Sequence, residues 1–332
     1  MAVELIAELA QGYEGRPDLA RRLVLNALTA NADAVKLQLV LADELATPSH
    51  PRYEWYRSLE MEQSVWTELA SSVHDAGRRL YFDVFGPTSL ATAAQIGADG
   101  VKIHASDFHN RELIGRAVES FPRVYVSIGG IRADEVSALV EDHDFGADSP
   151  IRLLYGFQSF PTAVSDNNLH RFQQLILTFP DVWFGFMDHS DGRSAAAWHI
   201  PLMAVAVGAV TLEKHMTLER ELDLVDSASA LTPEELSQFV KVLRELEPAL
   251  GSASTELSES EEAYRRKALK VVVAANHLPA GHVIVPADVM LKRSPEDPRG
   301  LLHRPQEATG RRLTIDVDTD RPISAEDLSC GD

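Results

Sequence analysis

Ala32-Asp33-Ala34-Val35-Lys36-Leu37-Gln38-Leu39 is a short β-rich run lying between two amphipathic helical stretches, residues 17–31 and 62–77. The same unit recurs. Strand-like runs cover 3–8, 34–39, 80–85, 100–103, 124–127, 152–155, 182–187 and 210–214. Helical patterns follow them at 17–31, 62–77, 87–97, 110–120, 132–142, 165–178, 193–207 and 233–247. Strict alternation predicts parallel strands joined by helical crossovers. Eight such units in about 250 residues predict a closed (β/α)₈ barrel over residues 1–250 rather than an open doubly wound sheet. No G-x-G-x-x-G follows the first strand, which argues against a dinucleotide-binding sheet.

Past the barrel the composition changes. Gly251-Ser252-Ala253-Ser254-Thr255-Glu256-Leu257-Ser258-Glu259-Ser260-Glu261-Glu262 is small, polar and acidic, and residues 251–265 read as a linker. Beyond it, strand-like runs at 270–275, 283–285, 289–291 and 312–317 are separated by turn chemistry such as Pro279-Ala280-Gly281-His282. This predicts a small β-rich domain over residues 266–332.

The chain of 332 residues is 45% hydrophobic, ordinary for a protein with a sizeable core. No apolar run reaches the roughly 18–20 residues of a membrane span. Met1-Ala2-Val3-Glu4 has no basic region ahead of a long apolar stretch, so no signal peptide is expected. One cysteine, Cys330, has no internal partner, which fits a reducing, cytoplasmic setting. A net charge of −19 argues against nucleic-acid binding, which needs clustered Lys and Arg, but leaves room for a local cationic pocket.

In such barrels, function gathers at the C-terminal strand ends. There this sequence places Glu8 and Glu14, Lys36 and Gln38, Asp83, Lys102 and Asp107, Ser127, Gln158, Asp188 and His189, and Glu213, Lys214 and His215. His189 and His215 end adjacent strands, and two neutral imidazoles with open positions suit a divalent metal. The plainer alternative is that each histidine only hydrogen-bonds locally. Lys36 and Lys102 point to a phosphate or carboxylate ligand, to a Schiff base, or simply to solvent-seeking ammonium groups.

Taken together, certain segments resemble the sialic acid synthase family, the phosphoenolpyruvate-dependent synthases of N-acetylneuraminate and related nonulosonates. They are Ile6-Ala7-Glu8 with Glu14-Gly15, the Ala32–Gln38 segment, Lys102-Ile103, Phe157-Gln158-Ser159-Phe160-Pro161-Thr162, Asp188-His189-Ser190, and Glu213-Lys214-His215-Met216-Thr217-Leu218. Asp226 with Ala228-Ser229 follows. The Pro279-Ala280-Gly281 turn and Leu291-Lys292-Arg293 resemble that family's antifreeze-like (SAF) domain. The resemblance implies a transferase joining phosphoenolpyruvate to an aldose or N-acyl hexosamine such as N-acetylmannosamine. It implies Mn²⁺, or Mg²⁺ or Co²⁺, on His189 and His215. It implies catalytic roles for Glu14, Lys36, Gln38, Lys102 and Asp107. Substrate contacts would come from Ser127, Gln158, Phe160, Thr162, Asp188, Asp226 and Arg293. It further implies a domain-swapped homodimer, with Arg293 reaching over a partner's barrel.

Departures from the family pattern are Asp83 where a Ser or Thr is usual, Ala105 for Ser, Phe160 for Tyr, Gln158 for Asn, and Ile128-Gly129-Gly130 for Thr-Gly-Met. A carboxylate at Asp83 would repel a phosphate unless turned away or protonated. Three alternatives follow: a pyruvate aldolase-type lyase on the same barrel, a non-catalytic sugar- or anion-binding homologue, and a freestanding ice-binding role for the C-terminal domain.

Overall fold

The computed structural model describes residues 2–329 except 144, 147, 160 and 298, so Phe160 and Cys330 lie outside the described residues. Eight parallel strands close into one barrel in sequence order: β1 (Glu4–Glu8), β2 (Ala34–Gln38), β3 (Arg79–Val84), β4 (Gly100–Ile103), β5 (Val124–Ser127), β6 (Ile151–Tyr155), β7 (Phe184–Asp188) and β8 (Thr211–His215). The register of β1 against β8, Glu4 with Thr211 through Glu8 with His215, completes the closure.

Each strand alternates between two environments. Leu5, Ala7, Val35, Leu37, Phe82, Val101, Val126, Leu153 and Phe186 pack outward among helix side chains in the main core. The opposite parity points into the barrel, where Ile6, Ala34, Tyr81, Tyr125, Leu154 and Met187 form a separate packed layer. The period of two along a strand dictates this division. Burying each large apolar side chain contributes roughly 1.5–3 kcal/mol, so both layers anchor the strand register.

The connecting helices are α1 (Pro17–Thr29), α2 (Ala42–Leu45), α3 (Tyr53–Ser58), α4 (Gln63–Asp75), α5 (Pro87–Ile96), α6 (Arg111–Ser120), α7 (Ala133–Asp142), α8 (Leu169–Thr178), α9 (Ala196–Ala206) and α10 (Pro233–Leu246). Their starts carry local signals. Thr232 and Glu235 form a capping box at α10, with Pro233 in its first turn. The short helices α2 and α3 lie in the β2–α4 connection, where the sequence suggests no helix.

The chain divides between Gly251 and Ser252. The expected linker is only partly linker: α11 (Glu259–Ala268) forms within it, capped by Ser258 and Glu261. Acidic residues in its first turn and Arg265, Arg266 and Lys267 in its last complement the helix dipole. In this second unit β9 (Val271–Ala274) pairs antiparallel with β10 (Val289–Lys292), and α12 (Pro305–Ala308) follows. Further single bridges, including Val283 with Arg312 and Leu313 with Leu328, surround a core of its own containing Val272, Ile284, Leu313, Val317 and Ile323. The unit is β-rich, as its composition suggests. No described helix is long and apolar enough to cross a membrane.

Candidate active site

Inward parity at the C-terminal ends of the strands brings Glu8, Lys36, Asp83, Lys102, Ser127, Glu213 and His215 into one layer, joined by His189 just past β7. All are buried. Five of them form a charge network. Lys36 pairs with Glu8, lies 2.6 Å from Asp83 Oδ1 and 3.6 Å from Glu213 Oε2. Lys102 lies 2.7 Å from Glu213 Oε1 and 3.6 Å from Asp83 Oδ2. Burial drives Lys36 below the ordinary lysine range, against the pull of Asp83 and Glu213. Burial opposes the charge on Lys102 too, but there Asp83 and Glu213 prevail and raise it. Burial alone would raise Glu213; Lys102 and Lys36 instead bring it down to about 2.

Two chambers open above this layer. The inner, of about 290 Å³, is lined by Glu8, Asp83, Lys102, Ser127, Glu213, His189 and His215. The outer, of about 730 Å³, is lined by Arg52, Trp55 and Tyr56 from the β2–α4 connection, with Phe85, Val225 and Asp226. Gln38, His104 and Gln158 border both and form the neck. Gln11 Nε2 donates to Gln38 Oε1 at 2.7 Å, and Gln158 Nε2 donates to Asp226 Oδ1 at 2.7 Å. Burial raises Asp226, with the Gln158 bond opposing. Gly156 also lines the inner chamber. Its φ of +122° and the 2.3 Å that an added Cβ would leave to the Met187 carbonyl oxygen restrict that position to glycine.

The two histidine rings are 5.0 Å apart, centroid to centroid, tilted by 53°. Burial holds His189 down to about 4 and His215 well below its ordinary value, so both imidazoles are neutral. Their backbone is pinned: the His189 carbonyl accepts from Thr162 N at 2.9 Å and Ser229 Oγ at 3.0 Å, and the His215 carbonyl from Leu231 N at 2.9 Å. His189 Nδ1 is buried without a hydrogen-bond partner, whereas the second oxygens of Glu8, Asp83 and Glu213 each face a lysine ammonium as an ion pair. Two neutral imidazoles, one with an unpartnered buried ring nitrogen, fit a divalent cation. Among the described residues no cluster of three or more His, Cys, Asp or Glu has metal-ligating spacing.

Several of the expected site residues lie off the chambers. Lys36 does not line either chamber; Glu8 and Asp83, which do, cover it. Asp83 is neither turned away nor isolated but engaged with both lysines. Asp188 has the outward parity, pairs with Lys214, and accepts from Ser190 Oγ at 2.6 Å, so it faces the barrel wall. Thr162 shapes its loop, accepting from Ser159 N and donating to the Phe157 carbonyl. Glu14 and Asp107 line neither chamber, and Asp107 instead accepts from Ser106 Oγ. Arg293 is exposed just after β10, in the second unit. Ala105 does line the inner chamber.

His104 and the Arg52–Tyr56 segment are missed by the sequence reading. His104 follows Lys102 by two residues, the inward parity, and that spacing could have found it. The aromatic segment carries no periodic signal.

A barrel whose strand ends carry a buried lysine–carboxylate layer beneath paired imidazoles defines a ligand-binding or catalytic (β/α)₈ protein. The chain belongs to the NeuB family, whose model matches residues 23–255, and a SAF domain matches residues 270–329. It is 25% identical to the mouse N-acetylneuraminate-9-phosphate synthase over 98% of this chain and 92% of that protein. It is also 25% identical to a Campylobacter jejuni pseudaminic acid synthase, over 98% and 96% respectively. The N-acetylneuraminic acid synthetase structure from Leptospira borgpetersenii, solved with citrate, superposes with a TM-score of 0.73 at 28% identity, covering 81% of this chain and 93% of that one.

Proposed function

We propose that this protein is a phosphoenolpyruvate-dependent synthase that condenses the enol with a sugar aldehyde, giving a nonulosonate-like 2-keto-3-deoxy acid and phosphate. The observation that carries the reading is the pair of neutral imidazoles opening, with Lys102 and Ser127, onto an inner chamber that leads into a larger outer one. His189 and His215 would hold a divalent ion, Mn²⁺ by resemblance, whose contribution is Lewis acidity toward the aldehyde oxygen. Lys102 and Ser127 would bind the donor's anionic groups. Gln38 and Gln158 at the neck would orient the two substrates against each other. Asp226, its carboxyl raised by burial and held by Gln158, would exchange a proton with the sugar. In the reaction the enol carbon attacks the aldehyde carbon, water adds at the donor carbon that carries the phosphate, and the C–O bond to phosphate breaks.

The test is a mass-spectrometric screen of aldoses and N-acyl hexosamines with phosphoenolpyruvate, read alongside inorganic phosphate. A condensation product with stoichiometric phosphate is expected. Turnover of pyruvate without phosphate release would replace the reading with an aldolase-type lyase. A non-catalytic binder is the second reading, and the engagement of Asp83 with both lysines favours it; tight ligand binding without product is its signature.

The resemblance also supports a homodimer in which Arg293 of one chain serves the partner's substrate. Guanidinium suits bidentate contact with a carboxylate or acyl oxygen. Arg293→Ala is expected to lower kcat/KM strongly without shifting Tm. Mixing it with His215→Ala should restore activity by subunit exchange. A mixture as inactive as its parents after demonstrated exchange removes the cross-subunit role.

A further inference from the structure

We infer that Asp83 is the resident counter-ion of the donor pocket and the residue that sets its selectivity for anion charge; the inference rests on the inner chamber being the donor site. The topology places it there. Strand β3 lies between β2, which carries Lys36, and β4, which carries Lys102, and Asp83 is the register partner of Lys102. Its inward parity delivers a fully buried carboxylate between two ammonium groups, 2.6 Å from Lys36 Nζ and 3.6 Å from Lys102 Nζ. Asp83 lines the chamber while Lys36 does not. A ligand in the chamber therefore meets the aspartate where it would otherwise meet the lysine.

The surrounding charge makes the consequence definite. Glu8 and Glu213 already offer two carboxylates to the two lysines, so Asp83 is a surplus negative charge in the layer. Its second oxygen makes no hydrogen bond and has only the longer 3.6 Å ion pair with Lys102. In a buried, poorly screened layer, a like charge within a few ångströms weighs heavily against a phosphate group. The penalty grows with ligand charge, so a carboxylate monoanion suffers less than phosphoenolpyruvate. The chain thus holds its donor weakly and releases inorganic phosphate readily, and neutralising this one residue should tighten anion binding rather than abolish it.

The experiment is calorimetric titration of inorganic phosphate, pyruvate and phosphoenolpyruvate into the full-length protein, in chelator and again in Mn²⁺. Asp83→Asn and Asp83→Ser are compared with the parent, and circular dichroism and Tm confirm that each is folded. Asp83→Asn keeps the shape and removes the charge; Asp83→Ser also removes the bulk. The expected result is phosphoenolpyruvate binding tighter by at least about ten-fold in both variants, with a smaller gain for pyruvate. Equal or weaker phosphoenolpyruvate affinity in the folded variants overturns the role of Asp83 and leaves the donor-site reading standing. If the parent and both variants bind neither phosphate nor phosphoenolpyruvate, the donor-site reading itself falls, and the inference with it.

Discussion

The two ends of the barrel each place carboxylate inside the strand ring, yet they are built for opposite ends. At the N-terminal end Glu4 stands alone among donors: the Tyr81 hydroxyl at 2.8 Å, the Tyr125 hydroxyl, Arg79 Nη2 at 2.8 Å and Arg123 Nη1 at 3.5 Å. Burial and the Glu4 charge push both tyrosine hydroxyls up, so they stay protonated and donate. The polar atoms left over nearby, Arg123 Nε and Arg152 Nη1, are donors. At the C-terminal end three carboxylates share two lysines, so acceptor oxygens outnumber the ammonium donors, and His189 Nδ1 has no partner. A lone carboxylate with surplus donors is a plug that fixes the fold. A layer with surplus acceptors beside a chamber is unfinished until something cationic or donor-rich enters. Stability and function are thereby assigned to different ends of the same strands.

The sharpest way to break that contrast is at the histidines. His189→Ala and His215→Ala are each expected to lower metal-dependent turnover by about a thousand-fold or more, with circular dichroism unchanged. Metal-dependent turnover at the parental level in either variant removes the metal assignment. Glu4→Gln probes the other end: it strips the charge from a filled cluster and should cost about 3 kcal/mol of unfolding free energy, read by urea denaturation. Turnover should stay unchanged. A loss of activity without loss of stability would mean that the ends are not separable.

A smaller effect is expected with pH. Burial holds the folded His189 imidazole down to about 4, against an ordinary 6.5. Below that ordinary value the unfolded chain takes up a proton that the folded imidazole refuses, so unfolding is favoured as pH falls. Its stabilising contribution is complete above about 6.5 and is lost progressively down to about 4, at no more than about 1.4 kcal/mol per pH unit. His189→Gln in chelator should flatten the slope in that window, measured as unfolding free energy against pH. The smallest effect belongs to Thr162, which lines no chamber. Thr162→Val removes its bonds to Phe157 and Ser159 and should cost about 1 kcal/mol, with KM for either substrate little changed. A large rise in KM would return Thr162 to the ligand.

Much of this molecule is legible in one dimension, for definite reasons. Strand and helix periods differ, so the alternation around Ala34–Gln38 identifies eight units and their closure before any coordinate is known. Two histidines at equivalent ends of consecutive strands must be neighbours in a closed barrel, and so His189 and His215 are found by position alone. The change of composition after Gly251 marks the second unit for the same local reason. What the sequence does not carry is which way a side chain turns at a strand's last residue, and what charge meets it there. Asp188 and His189 are adjacent in the chain but face opposite sides of the wall, and only His189 lines the inner chamber. Lys36 looks like a free cation until the fold brings Glu8 and Asp83, from the two neighbouring strands, over its ammonium group. Pairing across strands is set by register and burial, which couple residues distant in the chain, such as Asp33 with Leu5, 28 positions apart, and Lys102 with Glu213, 111 apart. Local pattern therefore determined the barrel and the ring of polar residues at its strand ends; tertiary packing alone decided which of those charges are already spoken for and which remain open.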